Sequence, residues 1–128
     1  MLTKLDIITI LKDEHLPLEE YWITSGAGMV LHGTKEFTRD IDLGCTTALI
    51  EFLIDEGYPC KLASDHTRTV TVGNYIEVFE NWCVDEIIYV DGLPLATLES
   101  IKKQKEVLGR DKDFLDIKLI DEFLLNQQ

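Results

Sequence analysis

The chain has 128 residues, 45% hydrophobic and 28% charged, with three prolines, which excludes a disordered or low-complexity chain and suits one domain over 1–128. Acids outnumber bases 24 to 12, a net charge of -12 that repels phosphate backbones and anionic membranes. A nucleotide that arrives with a divalent metal remains compatible, because the ion inverts the local sign.

In chain order, residues 3–14 predict a helix with Leu5, Ile8, Ile10 and Leu11 apolar, stopped before Pro17. Tyr21 to Thr24 is rich in β-formers and predicts a strand that runs into a tight turn at Gly26 and Gly28. Ala27 to His32 then predicts a short helix ending at Gly33. Arg39 to Leu43 alternates charged and apolar residues, the period of a strand. Thr46 or Thr47 caps a helix through about Glu56, with Gly57 as its stop. Thr67–Val72 and Tyr75–Phe79 predict two strands turning at Gly73-Asn74, and Asp85–Val90 a further strand. After a turn at Asp91-Gly92 and a short apolar stretch, Thr97 caps a helix that stops at Gly109. Asp111 caps a last helix to about Leu125. The class is α+β: a small mixed sheet flanked by helices, with a C-terminal helix pair.

Cys45, Cys60 and Cys83 have spacings that build neither a disulfide framework nor a zinc knuckle. They read as small buried apolar residues in a reducing compartment. The start reaches Asp6 before any long apolar run, unlike a secretory signal, and no stretch approaches the ~20 apolar residues of a membrane span. A cytoplasmic protein without membrane contact is the expectation.

Charge is uneven along the chain. Residues 1–98 carry 6 basic and 17 acidic side chains, whereas 99–118 carry 6 basic and 5 acidic. Half of all Lys and Arg therefore lie in one twenty-residue stretch, where an anion would find its contacts.

Two short motifs carry chemistry. Gly26-Ala27-Gly28 lacks the third glycine of a dinucleotide fingerprint, since position 31 is Leu31, and Asp40 comes too early for the ribose acid. It is either a plain tight turn or backbone that approaches a phosphate at a helix N-terminus. Arg39-Asp40-Ile41-Asp42-Leu43 sets two carboxylates on one strand face. Such a pair is either a solvated face or a pair of oxygen ligands for Mg²⁺ that also takes phosphate oxygens.

Ser25-Gly26-Ala27-Gly28-Met29-Val30-Leu31-His32-Gly33, followed by Thr38-Arg39-Asp40-Ile41-Asp42-Leu43, resembles the signature of the DNA polymerase β-like nucleotidyltransferase superfamily. The likeness is nearest to its small single-domain members, including those related to abortive-infection toxins. A second block agrees: Leu93 to Glu99, then Lys105 and Gly109-Arg110-Asp111-Lys112-Asp113, with Asp116, resembles the C-terminal pattern of the same proteins. Ser25-Gly26 stands where Gly-Gly is usual, and Gly28 stands where Ala is usual, a change that weakens a helix by about 1 kcal/mol.

The resemblance implies a nucleotidyltransferase fold and attack by a hydroxyl on the α-phosphate of a nucleoside triphosphate, releasing pyrophosphate. It implies Mg²⁺ or Mn²⁺ held by Asp40 and Asp42, and a third carboxylate within apolar-acid-apolar. Ile76-Glu77-Val78 fits that description, with Glu80 as the rival. By the same likeness Ser25, Gly26 and Arg39 contact the β- and γ-phosphates. His32 reads as a packing residue.

Helical-wheel positions add a nucleotide-binding candidate. Lys105 falls inside the apolar arc of Leu98, Ile101 and Leu108, where it is either a snorkelling stem or an ammonium aimed at the triphosphate. Asp113 and Asp116 fall in the inward arc of the last helix, which suggests a polar network beneath the site. The acceptor, a small molecule, protein or RNA hydroxyl, is open at this stage, and a homodimer or partner chain could complete so small a sheet. Two alternatives stand beside the enzyme: a catalytically silent nucleotide- or partner-binding module, and a toxin-like transferase acting on tRNA ends.

Overall fold

The computed structural model describes residues 1–82 and 85–127. Helix α1 (Lys4–Glu14) opens with a reciprocal cap in which Thr3 and Asp6 satisfy each other's backbone N–H groups. Strand β1 (Tyr21–Thr24) passes without a loop into α2 (Ser25–His32), and β2 (Ile41–Cys45) leads to α3 (Thr47–Asp55), capped by Thr46. Strands β3 (Cys60–Leu62), β4 (Arg68–Val72) and β5 (Ile76–Glu80) follow, then β6 (Ile87–Val90) and β7 (Leu93–Ala96). The chain closes with α4 (Leu98–Leu108) and α5 (Asp111–Asn126). None of these helices is long and apolar enough to cross a membrane.

The strands form one mixed sheet in the order β3-β4-β5-β2-β1-β7-β6. β2 runs parallel to β5 and β1 parallel to β7, while the other neighbours are antiparallel. Alternation along the central strands gives the sheet two different faces. Ile23, Ile41, Leu43, Ile76 and Val78 point to one side and join Ile7 and Leu11 of α1 and Leu49, Ile50 and Leu53 of α3 in the larger core. Trp22, Thr24, Asp42, Gly44, Glu77 and Phe79 occupy the other side. There a smaller core of Trp22, Met29, Ala96, Leu98, Ile101 and Ile120 seats α4 and α5 over the β1–β7 half only.

The elements correct the sequence reading in several places. The short exposed strand β3 was not expected, and α2 begins at Ser25 rather than Ala27. Arg110, not Asp111, is the N-cap of α5, because the Asp113 carboxylate reaches back to accept from the Arg110 N–H at 3.1 Å. Cys45 is buried as expected, whereas Cys60 is exposed on β3; Cys83 lies outside the described residues.

Missing side chains matter to the packing at Gly28 and Gly44. A methyl at Gly28 would come within 2.7 Å of Ile101 Cδ1, so glycine lets α2 lie close against α4. At Gly44 a methyl would overlap the Trp22 indole, whose Nε1 donates to the Trp82 carbonyl at 2.6 Å, and that carbonyl as well. Gly44→Ala is therefore expected to lower stability by about 3 kcal/mol in urea denaturation, since neither rigid neighbour can yield cheaply. A loss below about 1 kcal/mol would show that the strands can shift to accept it.

Candidate functional site

Strand β1 turns directly into α2 at Ser25. Ser25, not a glycine, takes the left-handed backbone, at φ 55°. Gly26 is already helical; its missing Cβ leaves room for Thr38, whose Oγ1 would stand 2.7 Å from an added methyl. Thr24 precedes the helix without capping it, and its buried Oγ1 has no hydrogen-bond partner among the described residues. The first N–H groups of α2 are thus left for another acceptor, at the end of the helix that favours anions.

In register beside Thr24 lies Asp42, and beside Asp42 on the next strand lies Glu77. Asp40 sits two residues before Asp42, exposed in the bend that precedes β2 rather than on the strand expected from the sequence, and lines the same cavity as Asp42. Burial pushes the Asp42 carboxyl up to about 7, and the charges of Asp40 and then Glu77 push in the same direction. Lys105 and Lys112 oppose the shift without cancelling it. Asp42 and Glu77 on adjacent strands, with Asp40 in the bend before β2, are hard oxygen donors whose mutual repulsion has the chemistry of a divalent-cation site. Among the described residues, no three His, Cys, Asp or Glu side chains stand close enough together to hold an ion as they are placed.

Glu80, the rival third acid, points to the opposite side of the sheet from Glu77. Arg68 donates to it twice, at 2.9 and 2.8 Å, and Thr47 once at 2.7 Å. Those bonds, first from Arg68 and then from Thr47, hold its carboxyl down at about 2. A depressed carboxyl stabilises the fold fully above its ordinary value of 4.5 and loses that contribution as pH falls toward 2. Wild type is expected to exceed Glu80→Gln by roughly 2 kcal/mol at pH 7, and the gap should close steadily between pH 4.5 and 2 in pH-dependent denaturation.

A cavity of about 820 Å³ opens over this face, the size of a small-ligand pocket. Ser25, Gly26, Arg39, Asp40, Asp42 and Lys105 all line it; Glu77 lies beside Asp42 but outside the cavity wall. The wall also takes in Lys35, Arg110 and Lys112, which the sequence reading did not nominate, and the rings of Phe79 and Trp82. Five of the twelve basic residues line the cavity, against four of the 24 acidic ones. An acidic protein has gathered its cations here.

Lys105 is 4% exposed, and its Nζ lies 2.9 Å from Asp116 Oδ2 and 3.7 Å from Asp113 Oδ1. Arg110 grips the fully buried Asp113 with Nε at 2.6 Å and its terminal nitrogen at 3.0 Å. Lys35 reaches Asp116 Oδ1 at 2.8 Å. Burial works against ionising either acid, but bonds from Arg110 to Asp113, and from Lys35 and Lys105 to Asp116, outweigh it and hold both below the usual carboxylate range. Three cations share two anions, which leaves one positive charge facing the cavity. The inward network expected from the helical wheel is present, enlarged by Lys35 and Arg110. His32 donates from Nε2 to the Ala96 carbonyl at 2.8 Å, tying α2 to β7, a packing role.

No family model and no curated protein matches the chain in sequence. Its fold does have neighbours among solved structures. TM1012 from Thermotoga maritima, assigned as a nucleotidyltransferase, superposes over 99% of this chain and 97% of that one, at TM-score 0.59 and 15% identity. The lincosamide antibiotic adenylyltransferase LnuA, with lincomycin bound, superposes over 92% and 94%, at TM-score 0.52 and 17% identity. The chain therefore shares the fold of these two proteins, a nucleotidyltransferase fold of the kind the two sequence blocks imply.

Proposed function

We propose that this chain, built on the nucleotidyltransferase fold, transfers a nucleoside monophosphate from a nucleoside triphosphate to a hydroxyl acceptor and releases pyrophosphate. The observation that carries the reading is one cavity holding a free helix N-terminus, a crowded pair of carboxylates and a surplus of cations, in a protein of net charge -12. A triphosphate with its metal complements each of these. A neutral or cationic ligand would complement only the carboxylates.

In this reading Ser25 and Gly26 present backbone N–H groups at the start of α2 to the β- and γ-phosphates. Arg39 and Lys105 bind the same phosphates as cations, with Arg110 and Lys35 holding the acids that orient Lys105. Asp40, Asp42 and Glu77 would hold Mg²⁺ or Mn²⁺. Bound there, the metal supplies the charge that neutralises the triphosphate and makes the acceptor hydroxyl more acidic. Glu77 lies farther from the phosphate turn and belongs to the acceptor side. In Glu77→Gln the affinity for Mg-ATP should stay within a few-fold, while transfer falls by orders of magnitude in a label-transfer assay. Unchanged transfer would remove Glu77 from the catalytic set.

The position of Glu77 outside the cavity wall favours a second reading, a catalytically silent nucleotide-binding module. Binding of Mg-ATP without cleavage in any acceptor mixture would select it.

A further inference from the structure

The central strands and the turn at their end sort this face into three levels. The Ser25–Gly26 turn follows directly on Thr24, at the end of β1, and lines the cavity with Asp40. One step along, Thr24, Asp42 and Glu77 lie side by side. One step further, Trp22, Gly44 and Phe79 lie side by side. Each step is two residues, about 6.6 Å. The carboxylates thus stand between a phosphate turn on one side and an aromatic wall on the other.

That wall is made of Phe79 and Trp82, whose ring centroids are 4.7 Å apart with planes tilted by 39°. Both rings line the cavity, as does Asp65 in the turn before β4, where Asp65 Oδ1 accepts from the Thr67 N–H at 3.0 Å. The basic side chains of the cavity come from residues 35–39 and 105–112; the segment 63–67 between β3 and β4, and β5, contribute none.

Phosphoryl chemistry assigns the wall a ligand. The attacking and leaving oxygens stand on opposite sides of the reacting phosphorus. If pyrophosphate leaves toward Ser25 and Gly26, the acceptor must approach from the side of Phe79. The nucleoside, joined to that phosphorus off the line of attack, leaves this side clear. The acceptor oxygen bonds to the α-phosphorus as the bond to the bridging oxygen breaks. Pyrophosphate departs with the electron pair, and the hydroxyl proton passes to solvent.

We infer that Phe79 and Trp82, with Asp65 at the rim, form the acceptor subsite, and that the acceptor is a small molecule carrying its hydroxyl on an apolar or aromatic group together with a cationic amine. The inference rests on the transferase reading. Ring faces attract apolar groups and cations, a carboxylate excludes anions, and neither feature suits a polyanionic RNA.

The test uses 2-amino-1-phenylethanol, which joins a ring, a hydroxyl and an ammonium, with phenyllactate as its anionic counterpart. Saturation-transfer NMR would follow each probe on the full chain with Mg²⁺ and α,β-methylene-ATP present, in wild type, Phe79→Leu and Trp82→Leu. The amine should contact wild type through its ring protons, bind about tenfold weaker to each variant, and exceed phenyllactate by a similar factor. Calorimetry on the same samples should give α,β-methylene-ATP affinities within twofold of wild type, which also shows that the variants are folded. No ring contact in wild type, or equal contact in the variants, would overturn the assignment. So would loss of α,β-methylene-ATP affinity in the variants with tripolyphosphate binding intact, because the wall would then hold the nucleobase. Failure of wild type to bind α,β-methylene-ATP would sink the transferase reading itself, whereas binding without probe contact sinks only the acceptor subsite.

Discussion

Asp42→Asn is expected to weaken Mg-ATP binding by on the order of 100-fold or more and, at the same time, to make the free protein more stable. The two effects share a cause. Asp42 is partly buried between Asp40 and Glu77, and its carboxyl is pushed up from 3.8 to about 7. A raised carboxyl costs the fold stability as pH climbs from 3.8 to 7, and the full penalty persists above that. Asparagine keeps the shape and removes the penalty, so the apo variant should gain roughly 2–4 kcal/mol at pH 8 and nothing at pH 3. The same exchange removes an anionic oxygen donor from the proposed cation site. Calorimetry with Mg-ATP and urea denaturation at the two pH values check both halves. Equal Mg-ATP affinity in the two proteins would sink the assignment.

Lys105→Met should weaken Mg-ATP binding by about 1–3 kcal/mol, the range for a hydrogen bond to a charged group. The substitution keeps the stem that packs in the α4–α5 interface and removes the charge. Removing one partner of a buried ion pair usually costs about 3–5 kcal/mol, because the other charge is stranded. Here Asp113 keeps Arg110 and Asp116 keeps Lys35, so the apo fold should stand with a loss of about 1–2 kcal/mol. Thermal denaturation and calorimetry on one preparation separate the two effects. Unchanged nucleotide affinity would leave Lys105 a purely structural cation.

Periodic patterns and caps made most of the elements legible. Thr46, Thr97, Gly33 and Gly109 each mark a helix end where the structure has one. β3 was not, because Cys60, Lys61 and Leu62 are all exposed on an edge strand and leave no alternating pattern. The start of α2 was misplaced by the glycines: the strain of the turn falls on Ser25, and Gly26 is there for space. Within the site, Lys105, Asp113 and Asp116 could be found by wheel position, since charge on a packed arc is conspicuous. Lys35 could not, because it sits in a loop where one lysine looks like any other. Arg110 belongs to the second sequence block, but its role comes from a guanidinium contact with Asp113 that the block does not encode. The flanking apolar pair already favoured Glu77 over Glu80 in the sequence, whereas the Arg68 partner of Glu80 comes from a separate strand that no local pattern reveals.

The most direct measurement is the identity of the products formed from ATP. With Mg²⁺, ATP labelled at the α-phosphate and a small-molecule extract as acceptor mixture, cleavage can be followed by chromatography and phosphorus NMR. The account predicts pyrophosphate, with the α-label passing to an acceptor or appearing as AMP where water takes its place, and none of this in Asp42→Asn. ADP with orthophosphate, or no cleavage by the wild type, would contradict it.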